Sequence, residues 1–266
     1  MRYQPTDPRD DDPNQVMSLK DKHKGGVALI VLGGNSAKDW QRVREQVNPD
    51  IVLGANGVNS MVDNLDYWMI AENMKHSAKK AEKGDPDSLA MMKMFHRESG
   101  AKVKLVSHHS WNLLRNKENC IRIRRQGYEE HEIEQHFNFR EYGLGYLAGW
   151  LLKHKEAGAL VHVGTVAAQL LHHAGILGCR EVHTIGLDLM FQDETAHHAY
   201  PHPLYKSDRY RNPGFKTQYK GVDTQWAWLE SGQFLQSIEP LFERDGLKWK
   251  DHSRGLLSVM GLECTK

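Results

Sequence analysis

The feature that most constrains this chain is a series of short apolar runs that do not alternate with polar residues and that close on Gly, Asn, Asp or Glu. Residues 27–33 read VALIVLG, 51–56 IVLGAN, 66–72 DYWMIAE and 181–189 EVHTIGLDL, while 102–107 read KVKLVS. A run of this kind is buried on both faces, as in a parallel sheet covered by helices on each side. Stretches with helical spacing or composition separate the runs, at 35–47, 76–98, 165–177 and 223–242. Strands alternating with helices imply parallel pairing through right-handed crossovers. The expected fold is therefore α/β: a Rossmann-like open, mostly parallel sheet with helices on both faces.

The remaining segments fit that frame. Cys120–Arg124 alternates like a fifth strand, 142–154 has helical spacing, 160–163 is a short strand or a lead-in turn, and 247–249 is a final edge strand. Residues 1–24 read as a polar N-terminal arm, and 25–266 as a single nucleotide-binding domain. Within it, 191–222 reads as a long loop without periodicity, and a loop of that length in a compact domain usually serves function.

Composition excludes several classes. Thirty-five Lys and Arg against 34 Asp and Glu leave a net charge of +1, without the basic excess of a nucleic-acid binder. Three separated cysteines, Cys120, Cys179 and Cys264, form no CxxC pair, so a reducing cytoplasm is expected. No run approaches the ~20 apolar residues of a membrane span, and the first residues lack the apolar centre of a signal peptide. Trp226 and Trp228 serve either a subunit contact in a homo-oligomer or the core.

In an open α/β sheet, ligands bind outside the carboxyl ends of the strands, so the residues after each run are the candidates. Gly33, Gly34, Asn35 and Ser36 follow the first: glycine admits a close backbone approach, and the next helix offers N–H groups to a phosphate. The same four residues also suit a tight strand-to-helix turn. Asn56 ends the second run and can read a base or ribose with its amide, or satisfy turn backbone. Glu72 after the third run either reaches the cleft or is solvated. Gly164 and Thr165 open an apolar helix, as an anion site or as a plain cap. Asp188 ends an apolar run, where an unpaired buried carboxylate is expensive, so it serves either a ligand or a neighbouring loop.

Residues 164–191, GTVAAQLLHHAGILGCREVHTIGLDLMF, resemble a block shared by related families. These are the bacterial CMP-sialic-acid-dependent sialyltransferases, the motility-associated glycosyltransferases and the 6-hydroxymethylpterin diphosphokinase-like proteins. VLGGNSAKDW, IVLGAN and DYWMIAE are similar to the families' front end in the same order. The families' Gly-Asn-Gly-Pro-Ser loop is changed here: the proline is missing and the asparagine shifted. The resemblance implies a nucleotide-bearing small molecule held by Gly33, Asn35, Ser36, Asn56, Gly164 and Thr165. It implies metal-independent glycosyl transfer with a histidine base and tyrosines beside the leaving phosphate, the nucleotide-sugar donor being the substrate and no cofactor being required. His198, His202 and Tyr200 in the long loop are the candidates, with Lys206, Arg209 and Arg211 nearby. Histidine, with its ordinary pKa near ~6.5, suits proton abstraction from a hydroxyl. His197, His198 and His202 can instead bind a metal, a weaker option than none. Two alternatives stand: magnesium-dependent pyrophosphoryl transfer from ATP, requiring carboxylates such as Glu72, Asp188 and Asp193, and a non-catalytic nucleotide-binding protein.

Overall fold

The computed structural model describes residues 15–70, 74–96, 101–107, 110–114, 117–126, 159–161, 165–191, 199, 216–244 and 246–261. The strands are β1 (Val27–Val31), β2 (Ile51–Ala55), β3 (Tyr67–Ile70), β4 (Val103–Ser107), β5 (Cys120–Gln126), β6 (Ala159–Val161), β7 (Glu181–Ile185), β8 (Lys216–Tyr219), β9 (Val222–Gln225) and β10 (Lys248–Asp251). Eight of them pair in the order β10-β7-β1-β2-β3-β4-β5-β6, every pair parallel, in an open sheet. The helices are α1 (Trp40–Val47), α2 (Lys75–Ala81), α3 (Pro86–His96), α4 (Val166–Ile176), α5 (Trp226–Arg244) and α6 (Leu256–Met260).

The apolar runs form strands because both of their faces are covered. Ala28, Ile30, Leu53, Met69 and Val182 pack with α4, α5 and α6 on one side. Leu29, Val31, Val52, Trp68 and Ile185 pack with α1 and α3 on the other. From β1 the chain steps outward through β2 to β6, then returns through α4 to β7 on the opposite side of β1. In open sheets of this kind, ligands bind outside the carboxyl ends of the strands at such a reversal, here β1 and β7. Among the described residues, no helix is long and apolar enough to cross a membrane.

Four segments differ from the sequence expectation. Residues 15–24 are not a free arm: Val16 and Leu19 are buried in the core. The amides of Asp21, His23 and Gly25 also donate to the carbonyls of Ile176, Leu177 and Gly178 at the end of α4. The helical stretch 76–98 is broken in two, for three local reasons. Gly84 takes φ +83, Asp85 Oδ2 accepts the Ser88 N–H at 2.9 Å, and Pro86 stands at the first helical position. The tail of the long loop is a hairpin, β8–β9, turned by Lys220 and Gly221, both at positive φ. Those strands reach Gln225, so α5 begins three residues later than its amphipathic pattern suggests. Trp228 packs against the core and lies 4.9 Å from the Phe191 ring, centroid to centroid.

His173 of α4 is 0% exposed, and among the described residues neither ring nitrogen has a hydrogen-bond partner. Its ring meets Tyr67 edge-on at 5.1 Å, and burial lowers its pKa to about 3. Between that value and the unfolded ~6.5, the unfolded chain takes up a proton that the folded chain refuses. Stability from this residue therefore falls as pH drops below ~6.5 and levels off only near the folded value. Urea unfolding at pH 7, 5 and 4 should show His173→Phe losing less stability with acid than the parent. Equal losses would remove His173 as a source of acid sensitivity.

Candidate functional site

The turns after β1 and β7 are joined by Asp188, three residues past the end of β7 and 3% exposed. Its Oδ2 accepts the Ser36 N–H at 2.9 Å, its Oδ1 accepts from Ser36 Oγ, and the Asn35 N–H also donates to the carboxylate. Asn35 and Ser36 begin the 3-10 turn Asn35–Asp39 that leads into α1, and the residue at its N-cap is Gly34, with no side chain to cap with. The cap comes instead from 152 residues away. A Cβ on Gly34 would lie 2.7 Å from Asp188 Oδ2 and 2.6 Å from the Gly186 carbonyl. Glycine at 34 is what lets the carboxylate reach the turn. Ser36 Oγ closes the link by accepting the Gly186 N–H at 3.1 Å, while the Gly34 N–H donates to the Gly186 carbonyl at 2.8 Å.

The same pattern repeats between β7 and β10. Ser253 Oγ accepts the Leu187 N–H at 2.8 Å. Asp251, 0% exposed, accepts from Thr184 Oγ1 at 2.7 Å and from the Ser253 N–H at 3.2 Å. Gly255 packs on the Asp188 backbone, and the Leu256 N–H donates to the Asp188 carbonyl at 2.8 Å. The turn after β7 is thus gripped from both neighbouring strands by a serine hydroxyl. Burial raises the Asp188 pKa against the hydrogen bonds from Ser36 and Asn35. Burial pushes Asp251 up to about 7, with its hydroxyl and amide donors opposing and the nearby Asp188 charge adding to the rise.

Sequence reasoning expected Gly34, Asn35, Ser36 and Asp188 to face a nucleotide. They do converge in space, but on one another: the Asn35 and Ser36 amides go to Asp188 rather than outward. Gly33 stays at the surface of the turn, half-buried, and its carbonyl accepts the Ala199 N–H at 3.0 Å. Ala199 belongs to the long segment expected to carry catalysis. Its neighbours in sequence, His198 and Tyr200, lie outside the described residues, as do His202, Gly164 and Glu72. Asn56 holds φ +51 at the start of a 3-10 turn after β2, its carbonyl accepting Trp68 Nε1 at 2.8 Å. It borders an apolar recess walled by Trp68, Ile70, Met91 and Phe95. Thr165 caps α4, its hydroxyl accepting the Ala167 N–H at 3.3 Å.

Asp251 and Ser253 were missed. The signal was available: KWKDHS is an alternating strand that ends on aspartate, the same criterion that singled out Asp188, but the expected strand stopped at Trp249. On the opposite face of β7 and β10, His183 Nδ1 and His252 Nε2 stand 2.8 Å apart, and His183 Nε2 meets Glu181 at 3.0 Å. Lys250 pairs with the same Glu181 oxygen at 2.6 Å. Among the described residues, no group of three or more His, Cys, Asp or Glu is arranged to hold a metal ion.

No family model matches the chain, and no curated protein matches it. Among solved structures, a variant of the sialyltransferase CST-II in complex with CMP aligns with a TM-score of 0.43 and 15% identity, over 90% of this chain and 86% of that one. The Campylobacter jejuni sialyltransferase CstII, in complex with the substrate analogue cytidine-5'-monophosphate, gives 0.43 and 13% over 91% and 86%. The functional reading rests on the residues of this chain.

Two outcomes follow from the clamp. Gly34→Ala should cost roughly 2–4 kcal/mol, because the new methyl overpacks buried backbone and carboxylate. Gly175→Ala, on an exposed position of α4 with nothing nearer than 4.0 Å, should instead gain about 0.5–1 kcal/mol. Denaturant midpoints for both variants check this pair, and equal effects would contradict the packing at Gly34. For Asp251, the folded pKa lies above the unfolded one, so the group's contribution is full at low pH and is lost as pH rises through about 7. Asp251→Asn keeps an oxygen for the Thr184 and Ser253 donors and cannot ionise. Its stability relative to the parent should be higher at pH 8 than at pH 5, and the reverse order would contradict a raised pKa.

Proposed function

We propose that this chain transfers a glycosyl group from a nucleotide-activated sugar held over the carboxyl ends of β1 and β2. The observation that carries the reading is the hydrogen bond from the Ala199 N–H to the Gly33 carbonyl, 3.0 Å long. It joins Ala199, which stands in sequence between the candidates His198 and Tyr200, to the first-strand turn at the carboxyl edge of the sheet, where open α/β sheets bind ligands. The resemblance of residues 164–191 to nucleotide-sugar transferases supports the same chemistry.

In the proposed reaction an acceptor hydroxyl oxygen attacks the anomeric carbon. The bond from that carbon to the phosphate oxygen breaks, and the nucleotide leaves with the electron pair. His198 or His202 takes the hydroxyl proton, and Tyr200 donates to the departing phosphate. The Asn35 and Ser36 amides are committed to Asp188, so phosphate charge falls to Lys206, Arg209 and Arg211 rather than to the turn. Asn56, at the edge of its recess, is the group proposed to meet the base or ribose.

A thermal-shift panel of CMP, CDP, UDP, GDP and ATP, each with and without magnesium, separates this reading from its competitors, since a ligand that binds the folded state raises the melting temperature. A pyrimidine nucleotide should act without metal. A response to ATP only with magnesium would point to pyrophosphoryl transfer, and binding without turnover of any donor to a non-catalytic protein. With a turned-over donor, His198→Ala or His202→Ala should lose at least ~10²-fold in rate, and unchanged rates in both would remove the loop base.

A further inference from the structure

We propose that Asp188 is a positioning residue, whose carboxylate fixes the Gly33–Ser36 turn so that the Gly33 carbonyl holds the Ala199 amide between His198 and Tyr200. The inference rests on the transferase reading for its catalytic consequence, and on geometry alone for the mechanical link. Every step of that link is a short contact. Asp188 takes the Asn35 and Ser36 amides and the Ser36 hydroxyl, and that hydroxyl takes the Gly186 N–H. The Gly34 N–H is bound to the Gly186 carbonyl at 2.8 Å, and Gly33 then presents its carbonyl to Ala199 at 3.0 Å.

Direct contact between Asp188 and a substrate phosphate is a poor alternative. The side chain is buried, both oxygens already accept protein donors, and Gly34 closes on the carboxylate so tightly that no Cβ fits there. A phosphate brought there would also meet like charge. The charged carboxylate instead suits a cluster of donors: two backbone N–H groups, which cannot accept, and one hydroxyl whose oxygen already accepts the Gly186 N–H. Asp188→Asn sets an amide NH2 against those donors, and Ser36→Ala removes the hydroxyl that joins the two turns. Either change frees the Gly33 carbonyl to move relative to β7. A displacement of ~1 Å at a catalytic group can cost on the order of 10²-fold in rate.

Amide hydrogen exchange in the full chain reads the link directly. In Asp188→Asn and in Ser36→Ala, exchange at Ala199 should accelerate at least ~10-fold, while amides of β1 and β7 keep their protection. Unchanged exchange at Ala199 would overturn the proposal. So would an equal loss of protection across β1 and β7, because Asp188 would then hold up the fold rather than the loop. Where Asp188→Asn fails to fold, Ser36→Ala carries the test. With CMP-sialic acid as donor, kcat should fall on the order of 10²-fold with KM within ~2-fold, and a loss confined to KM would make Asp188 a binding residue after all. If the parent protein turns over no nucleotide-sugar donor, the transferase reading goes, and exchange at Ala199 still decides the link.

Discussion

The carboxyl edge of the sheet depends on one interaction: the Asp188 carboxylate received by the backbone and hydroxyl of Ser36. A helix start leaves unsatisfied N–H groups, which a neighbouring side chain usually caps. Here the N-cap position is glycine, and the cap is supplied by the far half of the chain. One carboxylate thereby satisfies the turn after β1 and pins it to the turn after β7. Ser253 and Asp251 extend the same arrangement to β10. Three strand ends behave as one hydrogen-bonded unit, and the reversal in strand order that would make a ligand crevice is closed at its floor by the protein's own side chains.

That closure has an electrostatic side. Asp188 and Asp251 are both buried. Burial, with the Asp188 charge adding to it, pushes Asp251 up to about 7. Below about pH 7 this edge therefore carries less negative charge than its two carboxyls suggest.

Much of the fold was legible because it depends on local chemistry. Non-alternating runs such as IVLGA can be buried only on both faces, and β2 is buried at every position. Placing Gly33, Asn35, Ser36 and Asp188 at one edge of the sheet also followed, because each stands at or just after the carboxyl end of an apolar run. What the sequence did not disclose was non-local. That Gly34 is glycine to admit Asp188 requires knowing that β1 and β7 are neighbours, across 152 residues. Val16 and Leu19 looked like strays in a polar arm because two apolar residues make no pattern, yet both fill the core. The hairpin turn at Lys220–Gly221 went unread because β8 and β9 lack apolar alternation, and the break at Gly84-Asp85-Pro86 was masked by helical composition on both sides.

The central claim is that a nucleotide occupies the carboxyl edge where the Gly33 turn meets Ala199. Titration of the isotope-labelled protein with CMP, followed by amide chemical shifts, tests it most directly. The account predicts that Gly33, Asn56 and Ala199 shift together and saturate at one affinity. His23 and Tyr67 at the amino edge, and the His183–His252 pair on β7 and β10, should stay in place. Shifts confined to those other regions, or none at any concentration, would contradict it.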